Sequence, residues 1–545
     1  MKKLLLFMLT LGCMASASAQ IQFGKDGKGG QLAGSVETNS IYYLDDSKLG
    51  DAVKHWGSNT YVKLDYTLDR FSVGAQADLY LPALQGYEIG NYKRMDSDYM
   101  VIPSSLYVQW QDRNYGFRLG SIYEQLGNGL IFRAYEDRQL GINSALMGAH
   151  ARVNLGRYVA VKAFTGRQRL YDKYADNQWV TGADLSLSLS EIFGANSFNL
   201  ALEGSYVNRN QSLTVKEDNS SFIQRGMDDR NVHLWSGRVN FDMKSFYLHA
   251  EYAGKTKDLA TVNAMEATNG YATFVEAGYN KKSFSISGQA RVLENMGALI
   301  SLYGEGSCNT MNYLPAITRQ YTYMLANLEP HQVNVEGEIA GQVDLYYTLR
   351  NKSDRRKFWN FHANYSTAYT LNGHQSVTGE RELLWRDVNF DIERQWNKSW
   401  KTTFLYSFQE RNPYHGAEHR TYVANIFVAD VTYKINRKHS LRWELQYLLT
   451  DEYEGDWIAA LIEYNFAPRW SIFFQDMYNH QRVSNSYNAN VEKINYYSGG
   501  FSFTYNRSRL QLSYGRNRAG YVCSGGVCRY TPAYTGVNLL FTTSF

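Results

Sequence analysis

Proline is scarce in this sequence, 7 in 545 residues, while tyrosine (44), phenylalanine (26) and tryptophan (11) are plentiful. That balance departs from an ordinary soluble protein and suits strand faces and membrane-interface girdles. Long hydrophobic runs are missing: after the first residues, no segment is a continuous apolar run of the roughly 20 residues a spanning helix needs. The mean hydropathy of −0.44 fits a soluble chain. It fits a barrel with an aqueous lumen equally well, because there only alternate residues face lipid. An excess of one charge is also missing. The formal net charge is +4, and about +2 once Lys2 and Lys3 are cleaved away, too balanced for a nucleic-acid partner.

Cysteine is nearly absent, at positions 13, 308, 523 and 528. Cys523-Ser-Gly-Gly-Val-Cys528 has the spacing of a small closed loop in an oxidising compartment. A metal would want more ligands than the one nearby histidine, His480, so a Cys523–Cys528 disulfide is expected and no metal or cofactor. Cys308 is left as an odd thiol. Catalytic signatures are missing as well, with no G-x-S-x-G and no H-E-x-x-H. His150, His249 with Glu251, and His362 have no nucleophile placed beside them and read as lumen-lining polar residues rather than an enzyme site. Gly24–Gly30 lacks the spacing of a phosphate loop. No heptad repeat supports a helical tunnel.

What is present begins with a secretory signal. Lys2 and Lys3 precede an apolar run to Cys13, and Ala15–Ala19 supplies a small-residue cleavage site, so residues 1–19 are read as a signal peptide. Processing at Cys13 is the competing reading, disfavoured because Thr10-Leu11-Gly12-Cys13 has no leucine three residues before the cysteine. Residues 20–31 form a Gly- and Lys-rich flexible periplasmic leader, too short for a globular plug ahead of a barrel.

From about Leu32 to Phe545 the pattern has a period of two. Val62, Leu64, Tyr66 and Leu68 alternate with Lys63, Asp65 and Thr67; a turn at Asp69-Arg70 follows, then Phe71, Val73, Ala75, Ala77 and Leu79 alternate with Ser72, Gly74, Gln76 and Asp78. Side chains on a strand alternate between faces. So many charges on the second face need water, which a soluble sandwich core does not provide. Tight polar turns at Asp112–Asn114, Gly156-Arg157, Lys244-Ser245, Asn280–Lys282, Asn436–Lys438, Ala467–Arg469 and Asn506–Ser508 alternate with long links, among them Pro82–Ser104, Glu124–Ser144, Asn208–Arg230, Asn295–Glu336 and Asn517–Tyr534.

Short turns on one side and long loops on the other are the asymmetry of an outer-membrane barrel. The expectation is therefore an all-β, transmembrane, antiparallel up-and-down β-barrel over residues 32–545. It has about 24 strands (22–26), with both chain ends in the periplasm. The closing strand, Gly536–Phe545, puts Val537, Leu539, Phe541, Thr543 and Phe545 on one face and should pair with a first strand near Leu32–Tyr43. Phe545 is expected to be read by the barrel-assembly machinery.

Two segments break the rhythm. In Glu124–Ser144, Leu130, Ile131 and Phe132 sit beside Arg133, Glu136, Asp137 and Arg138. A solvated loop rarely carries so many large apolar residues, so this segment is expected to fold inward and occlude the lumen. Glu124, Arg133, Glu136, Asp137 and Arg138, with His150 and Arg152 beyond, are the candidate constriction. Its charges either select permeants or pair among themselves and hold the loop to the wall. In the second segment, Thr318–Leu328 has helical apolar spacing at Tyr321, Met324, Leu325 and Leu328 between Pro315 and Pro330. It is expected to be a short helix in or over the lumen, or an external helix that binds a partner.

Gly127-Asn-Gly129 to Ala134–Arg138, and Asn312–Pro315 to Leu325–Leu328, resemble a Bacteroidota family of outer-membrane barrels whose domain has no assigned function. The resemblance runs over the whole chain after the signal. It implies a monomeric or loosely associated outer-membrane barrel in contact with outer-membrane lipid, and no activity. The functional expectation is a porin-like passive channel or transporter for small polar solutes. The alternative is a non-enzymatic accessory component of an envelope secretion or surface-assembly machine, binding an envelope protein through its loops.

Overall fold

The computed structural model describes residues 21–23, 29–87, 99–175, 177–213, 225–227, 229–304, 306, 308–372, 378–452, 455–480, 493–524 and 527–545. The expected signal peptide and part of the leader, residues 20 and 24–28, lie outside the described residues. Twenty-four antiparallel strands, each paired with its neighbours in sequence, close into one barrel. The first, Gln31–Leu44, pairs with the last, Tyr534–Ser544, from Ser35 opposite Ser544 to Leu44 opposite Thr535. Phe545 extends the seam by exchanging two backbone hydrogen bonds of 2.9 Å with Gly34. Its ring lies where a side chain on Gly34 would be, since a Cβ there would come within 2.3 Å of the ring. Part of the leader is tied down too: Ile21 and Gln22 pair with Leu32 and Gln31.

Alternation sets the two faces. In Tyr115–Ile122, Tyr115, Phe117 and Leu119 are exposed on the outside while Arg118 points inward; in Trp470–Asn479, Trp470, Ile472 and Phe474 are the exposed outer row. The same band of exposed Leu, Val, Ile and Phe runs round the barrel, as an apolar belt in lipid requires. No helix among the described residues is long and apolar enough to cross a membrane; the strands do the crossing. An aromatic girdle closes the belt at one end. There Trp400 stacks on Tyr433 (4.2 Å), Trp470 lies against Phe503 (4.6 Å), and Arg394 is held between Trp359 and Trp396, 3.9 Å from each ring.

That end carries the start of the first barrel strand, the C-terminal Phe545 and eleven short connections. Two-residue turns such as 69–70, 244–245, 282–283 and 506–507 place Asp69, Lys244, Lys282 and Asn506 at φ near +50°, the twist that matches paired strands. Three of these connections escape the sequence reading: 396–399, 351–357, and 189–198 with its short helix Leu189–Phe193. The opposite end carries the long loops. Two of them, 123–145 and 295–336, turn into the barrel and fill the loop-side part of its lumen.

Candidate functional site

The plug is built from the two segments that break the strand rhythm. Leu126, Leu130, Ile131 and Phe132 of the first are at most 1% exposed. They pack with Met296, Ile300, Met311 and Ile317 of the second and with inward-facing Phe164, Val180, Val207 and Leu234 of the wall. Burying each such side chain stabilises by about 1.5–3 kcal/mol, so a hydrophobic core sits inside the lumen. Backbone bonds join the two segments, Arg133 N–H to Met311 O and Tyr313 N–H to Gly129 O, both 2.9 Å. Asn312 bridges them from a buried position. Its amide donates to Leu130 O and Met296 O (2.8 Å each) and accepts from Ala298 N–H (3.1 Å).

Charged wall residues hold this plug, and here the expectation that the inward charges face water needs correction. Arg209, Arg238, Lys255, Glu251, Asp258, Arg291 and Glu338 are all buried. Glu251 accepts from Asn128 N–H and Nδ2, both 2.9 Å. Gly127 lies next to it at φ +53°, where a Cβ would come within 2.6 Å of the Arg238 side chain; only glycine allows this approach. Arg209 bonds Asp258 and Leu299 O (2.6 Å each), Lys255 donates to Gly297 O (2.6 Å), Gln178 to Ile300 O (2.6 Å), and Arg291 to Pro315 O and Glu338. Buried cations are tolerated when paired and hydrogen-bonded, and plug carbonyls supply part of that shell, leaving only the Nε atoms of Arg209 and Arg291 among these cations without a hydrogen bond. The sequence shows these charges as the polar half of the alternation. It does not show that plug segments 24 to 123 residues away in sequence cover them.

The second segment then crosses to the far wall. Arg319 pairs with Asp391 at 2.7 Å, the Tyr321 hydroxyl donates to Asp387 and Asn389, and Tyr323 reaches Asp430. Leu325 N–H donates to Gln446 Oε1 and Gln409 Nε2 to Ala326 O, both 2.9 Å. The helix expected over Thr318–Leu328 is not formed; only Leu325–Asn327 makes a single 3-10 turn. The polar wall side chains take the backbone groups a helix would pair internally, and Leu325 and Ala326 pack on Leu405, Ile426, Leu448 and Trp457 instead.

The candidate constriction residues fall in separate places. Glu124 bonds His150 and Lys162, both 3.1 Å. Burial disfavours its charge, but those two partners outweigh it and hold the Glu124 carboxyl below the usual range. Glu124 and His150, with Arg118 and Arg152, line a cavity of about 150 Å³ on the turn side of the plug. Elsewhere, Arg138 pairs with Glu37 (2.8 Å) and Glu136 (3.1 Å), and Glu136 also accepts from Gln76. Arg133 lies over the rings of Tyr135 and Tyr313. Asp137 caps the backbone N–H of Leu140 at 3.0 Å. These contacts are internal to the plug or tie it to the wall, and they form no single ring of charge.

On the loop side a second cavity, of about 240 Å³, is lined by Glu329, His331, Trp385, Arg411, His415 and Glu452. Cys523 and Cys528 are disulfide-bonded within the ribbon of Gly520–Ser524 and Val527–Thr531, in the last loop. Cys308 is buried beside Leu140 and Ile142. Among the described residues there is no group of three or more His, Cys, Asp or Glu able to hold a metal ion.

Fold and site together define a transmembrane β-barrel of outer-membrane type, its lumen partly occluded by two segments of its own chain. The chain belongs to a family of unknown function, DUF6029, whose model matches residues 1–545. No curated protein matches it in sequence. Among solved structures it is similar to the siderophore receptor PirA from Pseudomonas aeruginosa (9% identity, TM-score 0.41, covering 94% of this chain and 80% of that one). It is also similar to the translocation pore of the P pilus usher PapC (10%, 0.44, 94% and 99%) and to OccAB4 of Acinetobacter baumannii (11%, 0.38, 77% and 97%).

Proposed function

We propose that this chain is an outer-membrane channel or transporter for small polar solutes, gated by its internal plug. The Bacteroidota origin, the cleaved signal and the loops-outward orientation belong to the same reading. The observation that carries it is the way the plug is attached. Beside its apolar packing, it meets the wall through many hydrogen bonds and ion pairs, including Asn128–Glu251, Arg319–Asp391 and Gln178–Ile300 O. Water or a polar solute can replace such contacts one by one, whereas strand pairing resists replacement. The turn-side lumen supports the same reading. Its partly exposed pairs Lys63–Asp65, Lys401–Glu393 and Arg442–Asp430 balance both signs, which suits polar solutes of either charge over ions of one sign.

Planar-bilayer recordings test this. The wild-type chain is expected to give rare openings, and a chain lacking Gly127–Ile142 a steady conductance. Silence from both overturns the channel reading. The extensive apolar core inside the lumen favours a second reading, a barrel kept shut that serves an envelope secretion or assembly machine through its loops. A stoichiometric partner cross-linked in native membranes, together with silent bilayers, supports that alternative.

A further inference from the structure

The eleven connections at the turn end carry fourteen Lys and Arg against four Asp and Glu, a net of +10, while the whole chain is +4. All fourteen cations are exposed. Ten of the eleven turns hold at least one, so the charge runs round the whole circumference rather than marking one sector. The densest sites are Arg355, Arg356 and Lys357 in 351–357, and Arg437 and Lys438 in 435–438. The exception, 189–198, presents exposed Ile192 and Phe193 instead.

The position of these cations along the barrel axis is fixed by the aromatic girdle. Arg469 lies over the ring of Tyr505 (4.7 Å), and Arg394, just inside the ring of turns, is held between Trp359 and Trp396; these aromatics sit at the outer wall. Girdle aromatics mark the level of lipid head groups. The cations therefore stand at and just beyond the phosphate level, facing the leaflet that surrounds the barrel.

We propose that the turn end binds the anionic head groups of phospholipids in the surrounding leaflet. A protein partner would meet one sector and a solute would meet the lumen mouth; only a leaflet meets every turn. Cations near an anionic leaflet are each attracted appreciably, and guanidinium groups bind phosphate with paired hydrogen bonds. The outward Ile192 and Phe193 add an apolar anchor at the same level. The assignment of that leaflet as the periplasmic one rests on the outer-membrane reading above.

Native mass spectrometry of the purified full chain in detergent, titrated separately with phosphatidylglycerol and phosphatidylcholine, tests the proposal. The wild type should retain several phosphatidylglycerols and few phosphatidylcholines. The variant Arg355→Gln, Arg356→Gln, Lys357→Gln, Arg437→Gln, Lys438→Gln should lose phosphatidylglycerol about fivefold or more, with phosphatidylcholine unchanged. Retained heat-modifiable migration shows that the variant barrel is intact. Equal retention of the two lipids by the wild type, or unchanged phosphatidylglycerol on an intact variant, overturns the proposal. Orientation is read separately. A Ser245→Cys chain labelled by a membrane-impermeant maleimide in intact cells overturns the periplasmic assignment while leaving the lipid preference to the first measurement.

Discussion

Asn312 shows how much of the plug depends on single side chains. It satisfies three backbone groups at the junction of the two segments from a position 4% exposed. Replacing it by leucine keeps the apolar surroundings and leaves those groups without this partner, at roughly 1–3 kcal/mol for each one not rescued by water. The Asn312→Leu barrel should keep its heat-modifiable migration while its plug is cut faster by protease; unchanged cleavage would show that Asn312 is not the joint. Glu124 gives a pH dependence. Its carboxyl is held below the ordinary value by His150 and Lys162, so the stability it contributes is present above about pH 4.3 and lost as pH falls through its lowered folded-state value. Melting of the folded gel band should drop as pH falls below about 4.3, and Glu124→Gln should drop less over the same acid range. Identical profiles would remove Glu124 from the plug's acid sensitivity. Neither role is legible from residue type, because an asparagine and a glutamate in a polar loop look alike until their partners are known.

At the scale of elements, strands are read well and the plug only in part. Val537, Leu539, Phe541 and Phe545 share a face because strand period is a local property of the backbone, and the predicted seam with Leu32–Tyr43 is the pairing observed. The link Asn295–Glu336 falls between the strands Phe284–Glu294 and Gly337–Arg350 with its predicted bounds. The inward folding of Glu124–Ser144 was legible from Leu130, Ile131 and Phe132 beside charge, since such residues need cover. The helix expected over Thr318–Leu328 does not form for a physical reason: apolar spacing reports which side chains are buried, and here an irregular chain with one 3-10 turn buries them while Gln409 and Gln446 take two of its backbone groups. The same logic explains the wall charges, which the pattern places inside without saying whether water or plug meets them.

For the whole molecule, closure removes the edges that an open sheet exposes, and the seam decides whether closure occurs. Phe545 completes it through two hydrogen bonds and a ring seated on Gly34. Deleting Phe545 is expected to reduce the amount of heat-modifiable barrel in the outer membrane, with conductance per assembled barrel unchanged. Unaltered outer-membrane levels on quantitative blotting would argue against its role in recognition by the barrel-assembly machinery. The charge of the turn end is also a whole-molecule property. Its fourteen cations are scattered over more than four hundred residues of sequence, and they become one belt only when the strands bring alternate connections to the same end.

The sequence by itself determined the barrel: strand period is local and recurs in 24 strands, and short turns alternate with long loops between them, so errors at single boundaries do not change the architecture. Only the tertiary structure decided what fills it. The plug depends on contacts such as Asn128 with Glu251 and Leu130 O with Asn312, separated by more than a hundred residues. No local pattern encodes which buried donor meets which buried acceptor until the chain has closed around them.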